Sequence, residues 1–153
     1  MRRKDRALSP EEAWEIVDGT SYGVLSLVSP EGLPYGVPVT LWRQENRVYF
    51  HCAQTGFKTE CLRSCPQVSI CCVSQAQVVP EATTMHYASA ILTGTAREIT
   101  DPEAKKAAVY AMCRHYQVPE SHPAMASGFA RCLPATAIWE ITVTDIRGKA
   151  RKA

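Results

Sequence analysis

His51 to Arg63 reads HCAQTGFKTECLR and follows the strand-like run Arg47 to Phe50. A His, several small residues, a Gly and a Lys fall within eight positions here, immediately ahead of a helix-like segment. An anion site has this build. Gly56 lets the backbone approach a ligand closely. The first amides of a helix offer unpaired N–H donors and the positive end of a dipole to a phosphate, and Lys58 would add a point charge. The spacing alone leaves a plainer alternative open, a solvated loop lysine ahead of an ordinary helix.

The neighbouring segments are strands. Tyr22 to Ser29 is rich in β-formers, Pro30-Glu31-Gly32 is turn chemistry, and Tyr35, Val37, Val39 and Leu41 alternate along Pro34 to Trp42, which predicts a hairpin. Gln44-Glu45-Asn46 turns the chain into Arg47 to Cys52, so three consecutive strands are expected to form an antiparallel meander. Beyond the helix-like Lys58 to Ser64, Pro66 marks a break, and Gln67 to Ser74 is predicted as a buried, β-branched strand. Residues 75 to 86 are polar and show no period. Tyr87 to Ile99 is a long strand with Gly94 in its interior, where a bulge or sharp bend is expected. In the final strand, Ala135 to Asp145, Ala137, Trp139, Ile141 and Val143 alternate with polar residues, and Ile138 breaks the polar side.

Two helices have clear starts. Ser9-Pro10-Glu11-Glu12 is a capping box with Pro at the first helical position, and this helix runs to about Asp18, with Gly19 placed to end it. Asp101-Pro102-Glu103 opens a second helix, with Ala104, Ala108, Ala111 and Met112 along one face. Pro119 to Pro134 reads as a short helix and loop. About six strands, hairpin-length turns and few helices predict a mainly β fold with flanking helices, closed or nearly closed into an antiparallel barrel, because closure removes exposed edges. Residues 1–153 read as a single domain without internal repeat or linker.

Composition excludes several classes. Hydrophobic residues are 46% and charged residues 21%, the balance of a globular chain and not a disordered one. The net charge of +2 sits mostly at the two ends, in Arg2, Arg3, Lys4 and Arg6 and in Arg147, Lys149, Arg151 and Lys152, which are expected to fray over 1–7 and 148–153. No basic cluster interleaved with aromatics marks a nucleic-acid surface. No apolar run reaches membrane-spanning length and no secretion signal is evident, so a cytoplasmic protein is expected. The seven cysteines lack a disulfide framework spacing, and Cys61 and Cys65 with Cys52 and His51 include no CxxC, so no metal site is expected.

The motifs taken in order are more specific than any one alone. GVLSLVSPEGLPYGVPVTLW, VYFHCAQTGFKTECLR, VSICCV, YASAILTGTAREITDPEAK and IRGKARK together resemble the pyridoxamine-phosphate-oxidase-like flavoproteins, and most of all their nitroimidazole-resistance (Nim) branch, from about Leu8 to Lys149. The resemblance implies a six-stranded antiparallel split β-barrel and a homodimer with FMN at its interface. Carried over residue by residue, Val37, Pro38, Val39 and Thr40 would lie along the flavin ring. His51, Cys52 and Ala53 would border it, and Gly56 and Lys58 would hold the phosphate. Tyr87, Ser89 and Trp139 would approach from the partner subunit. Phe57 stands where the family often has Arg, removing one phosphate contact, and no arginine-rich pyridoxal-phosphate site follows, which argues against pyridoxamine oxidation. The same barrel also hosts proteins that bind a deazaflavin or haem.

The expected activity is therefore reduction of a small planar acceptor, a nitroaromatic or quinone, by FMN. His51 is the candidate catalytic residue, because imidazole changes charge near neutral pH. Its alternative role is a hydrogen bond ordering the loop. His86, His115 and His122 have no ligand-set spacing, and no nucleophile elbow marks a hydrolase. The competing function is a flavin or haem carrier or sensor that turns nothing over.

Overall fold

A computed structural model describes residues 3–151. The strands are β1 (Ala7–Leu8), β2 (Gly23–Val28), β3 (Pro34–Val39), β4 (Trp42–Gln44), β5 (Arg47–Ala53), β6 (Gln67–Val79), β7 (Thr84–Glu98) and β8 (Thr136–Arg151). The helices are α1 (Pro10–Gly19), α2 (Phe57–Ser64), α3 (Pro102–His115) and the single turn α4 (Pro123–Ala126). All paired strands are antiparallel, in the order β3-β2-β6-β7-β8-β5-β4, with β1 added on β8. The sheet has eight strands in place of the expected six, and no ladder joins its end strands β3 and β4. It nevertheless curls around one core. Val39 of β3 and Val48 and Phe50 of β5, from opposite ends of the strand order, share a buried cluster with Leu25, Ile70, Leu92 and Trp139.

Local signals are realised at the helix starts. The Ser9 side chain accepts from the Glu12 N–H at 3.2 Å, and the Glu12 carboxylate accepts from the Ser9 N–H at 2.9 Å. This closes the predicted capping box. Ala13, Ile16 and Val17 are the face of α1 laid on the barrel. Gly19 remains inside the helix, and Thr20 caps its end by donating its N–H to the Val17 carbonyl.

Three expectations are corrected. The hairpin β2–β3 forms, but β5 does not extend it into a meander; β5 pairs with β4 and β8, and β3 is an edge. Residues 75 to 86 are structured: β6 continues to Val79 and returns through a turn at Pro80–Ala82 into β7, after a bulge at Val73/Gln75. The basic ends are also ordered elements where described, since Ala7 and Leu8 pair with Lys149 and Gly148, and β8 reaches Arg151. Arg2 and Lys152 lie outside the described residues.

Gly94 marks a bulge as expected, because the β7–β8 register shifts between Thr93 and Gly94. Glycine is required beside it: a Cβ on Gly94 would sit 2.4 Å from the Thr142 carbonyl oxygen. Over residues 137–141, β8 is buried on both faces. Ala137, Trp139 and Ile141 enter the barrel core, while Ile138 packs in a second cluster with Trp42, Tyr49, Val109, Cys113, Met125 and Phe129. That cluster seats α3 and α4 on the outside of β5 and β8, and it explains why Ile138 breaks the polar alternation. The buried face of α3 is Ala108, Val109 and Cys113; of the expected row, Ala108 belongs to it and Met112 packs against the same cluster, while Ala104 is exposed.

Candidate functional site

β5 delivers the chain to the opening stretch, and the turn between it and α2 is held at several points. The Gln54 N–H donates to the Ala135 carbonyl at 3.2 Å, and the Gln54 side chain donates to the Thr136 carbonyl at 3.1 Å. Gly56 then takes φ +130, ψ 166, a conformation that favours glycine, and a Cβ there would meet nothing within 4 Å. The space above Gly56 is open. α2 begins at Phe57 with no side chain capping its first turn, so its leading N–H groups face outward as unpaired donors. Buried Thr59, Cys61 and Leu62 fix the helix to the barrel, and Arg63 grips Glu98 with two bonds of 3.0 Å.

These residues border a cavity of about 250 Å³. The structure brings the expected Cys52, Ala53, Gly56 and Lys58 into it, together with Tyr35, Thr55, Phe57 and Thr59. Lys58 is half-buried, with Nζ 5.9 Å from the centroid of the Phe50 ring. The Tyr35 and Phe57 rings meet edge to face at 5.0 Å and wall the cavity. No carboxylate lines it. Burial pushes the Cys52 thiol above its ordinary pKa, against the opposing field of Lys58, so the side chain stays a neutral thiol near pH 7.

Other expected site residues lie elsewhere. Val39 is a core residue and Val37 packs against the core, while Pro38 and Thr40 are exposed on and just beyond the edge strand. His51 occupies the β5 position between Phe50 and Cys52, and strand alternation turns it to the opposite face from both. Burial, and then the Lys58 charge, lower its pKa. Trp139 is 2% exposed in the barrel core, with its indole N–H unpartnered, and reaches no surface of the described chain.

Tyr87 and Ser89 stand on β7, outside the Lys58 cavity. Arg6 donates to the Tyr87 hydroxyl at 3.4 Å and Lys149 Nζ lies 5.6 Å from its ring centroid. Arg6 first, and Lys149 after it, lower the tyrosine's pKa. Ser89 borders a shallow concavity of about 510 Å³ with Ile91, Thr93, Asp145, Arg147 and Lys149. The sequence reading missed Tyr35 as a site residue, although it lies two positions before Val37 on the same predicted strand face. Among the described residues no group of three or more His, Cys, Asp or Glu is placed to hold a metal, and no helix is long and apolar enough to cross a membrane.

The sequence profile of pyridoxamine 5'-phosphate oxidase matches residues 9–150. The chain belongs to this family. The family is a flavin-binding one. No curated protein matches the sequence. Among solved structures, one similar fold is a candidate 5-nitroimidazole antibiotic resistance protein from Bacteroides thetaiotaomicron, at TM-score 0.79 and 22% identity over 94% of this chain and 85% of that one. An FAD-binding protein from Mesorhizobium loti matches at TM-score 0.70 and 19% identity, over 96% of this chain and 98% of that one. An FAD and haem binding protein from Mycobacterium smegmatis matches at TM-score 0.76 and 18% identity, over 95% and 72%. The eight-stranded, unclosed sheet with flanking helices is thus a fold this chain shares with these solved structures.

Proposed function

We propose that this chain binds FMN as a homodimer and reduces a small planar acceptor, a nitroaromatic or quinone. The observation that carries the reading is the uncapped head of α2, opening over Gly56 into a cavity that contains Lys58 and no carboxylate. The residues present fit a flavin phosphate. Unpaired amides, one ammonium group and an open glycine cradle are the donor set that a phosphate monoester needs. When bound, the flavin supplies the electron transfer. The chain's own residues bind and orient it: Lys58 and the first α2 amides take the phosphate, and the Tyr35–Phe57 pair shields the cavity mouth from water. Phe57 contributes no charge where the family often has Arg, so Lys58 is the principal cation.

Dimerisation is supported by the outer face of the sheet. Val24, Cys71 and Ile91 are consecutive cross-strand neighbours on β2, β6 and β7, and Val24 is 38% and Ile91 49% exposed. An exposed apolar row of this kind suits a second copy. Tyr87 and Ser89 lie on β7 outside the Lys58 cavity, so their part in flavin binding requires that copy.

A carrier that turns nothing over is the second reading. It is supported by a cavity lining that holds no His, Asp or Glu. Titration of the purified protein with FMN tests the first step, and Lys58→Met should weaken binding about ten- to a hundredfold, the loss of roughly 1.5 to 3 kcal/mol. Absence of any wild-type affinity for FMN overturns the proposal. NADH or NADPH oxidation by the loaded protein with a nitroaromatic acceptor then separates enzyme from carrier.

A further inference from the structure

A second cavity, of about 410 Å³, lies beneath α3 on the outer side of β5 and β8. It shares no lining residue with the Lys58 cavity. Small-molecule sites span roughly 300 to 1,000 Å³, with mainly apolar walls and a few placed polar groups, and this cavity has that build. One wall is Ile99 with Ala104, Ala107 and Ala111 of α3, whose short side chains leave the space that larger residues would fill. The helix is seated by other residues, Ala108, Val109 and Cys113, so Ala104, Ala107 and Ala111 are free of packing duty there.

The polar groups are unevenly satisfied. Glu140, its side chain 8% exposed, accepts from Arg97 at 3.0 Å, Tyr49 at 2.9 Å and Arg47 at 3.3 Å. Asp101 accepts the Ala104 N–H at 2.8 Å as the cap of α3. Both carboxylates of the lining are therefore engaged. Arg114 is in no ion pair among the described residues, and Arg97 keeps its remaining donors with 71% of its side chain exposed. The cavity thus presents an apolar wall and unspent guanidinium donors.

We propose that this cavity binds a small apolar carboxylate of about the size of benzoate, its hydrocarbon part on the alanine wall and its carboxylate on Arg114 with Arg97. The site is independent of the flavin reading, because it uses neither Lys58 nor the head of α2.

Calorimetric titration of the full chain with benzoate and with hexanoate tests it. At least one should bind saturably, and benzamide, the neutral match to benzoate, should bind tenfold or more weakly than benzoate. Arg114→Ala should weaken carboxylate binding about tenfold or more. Ala107→Phe, which fills the space from an exposed helical position, should abolish it without lowering the unfolding temperature, while Lys58→Met should leave it unchanged. The proposal is overturned if neither acid binds the wild-type chain, if benzamide matches benzoate, or if Arg114→Ala and Ala107→Phe bind as the wild type does.

Discussion

The Tyr49 hydroxyl donates to the Glu140 carboxylate at 2.9 Å, and the two residues are direct partners across the β5–β8 ladder. Arg97 and Arg47 donate to the same carboxylate, so a nearly buried charge on a barrel strand is fully paired. Burial alone would raise the Glu140 pKa, but the Arg97 and Tyr49 hydrogen bonds and the Arg47 charge outweigh it and hold the group below the ordinary value.

Glu140→Gln should destabilise the fold at neutral pH by about 1 to 3 kcal/mol. The loss stays moderate because Arg47 and Arg97 are 52% and 71% exposed and can rehydrate. A folded pKa below the unfolded one gives stability that is present above the ordinary carboxylate range and is lost as pH falls through the lower folded value. Urea unfolding of wild type and Glu140→Gln from pH 7 to pH 3 should therefore converge toward acid. Parallel curves would show that Glu140 does not set this dependence.

Gly94→Ala should cost about 1 to 3 kcal/mol, since its Cβ would be driven onto the Thr142 carbonyl. Gly36 is the internal control: its Cβ would find only Val24 Cγ1, at 3.7 Å. Thermal unfolding should separate the two substitutions clearly, and equal effects would show that the close approach to Thr142 does not demand glycine at position 94.

Gly94 is legible in the sequence because a glycine inside a strand run signals a local backbone requirement. The Ser9–Glu12 cap and the Gly56–Lys58 spacing are legible for the same reason, being settled within a few residues. The outer part of β6 is not. Residues 73–78 are exposed, so no buried face imposes an alternating pattern, and the strand is held by its ladder to β7. Strand partners are likewise invisible locally. β5 follows β3 closely in sequence, yet it pairs with β8 from the far end of the chain. Within the site, Lys58 could be found from spacing, whereas the contact of Tyr35 with Phe57 depends on a hairpin and a helix start meeting in space. Trp139 is legible as an inward position of the last strand, but that its side chain fills the barrel core is seen only once the strands are assembled.

Ile91→Glu tests the proposed dimer. The side chain is 49% exposed, so a charge there should leave the monomer folded. Covered by a second copy beside Cys71 and Val24, the same charge would be desolvated without a partner. Sedimentation at micromolar concentration should give a mass near twice 16.9 kDa for the wild type and near 16.9 kDa for the variant. FMN affinity should fall with the dimer. A wild-type monomer that binds FMN tightly would show that one copy suffices.

His51→Ala separates cofactor binding from reactivity. His51 is absent from the Lys58 cavity and shares the opposite face of β5 from Cys52, so its removal should cost FMN affinity no more than one ordinary hydrogen bond, roughly 0.5 to 1.5 kcal/mol. Its effect on turnover is read from pH. Burial and the Lys58 charge lower its pKa, so the imidazole gains its proton only below the ordinary histidine range near about 6.5. If it supplies the proton that accompanies electrons onto the acceptor, the wild-type rate should rise as pH falls through that lowered value, and the variant should lose the rise. Loss of FMN with an unchanged pH profile would instead make His51 a structural cofactor ligand. No change in either would leave it as a polar residue on the outer face of β5, and acceptor reduction would need no proton from this position.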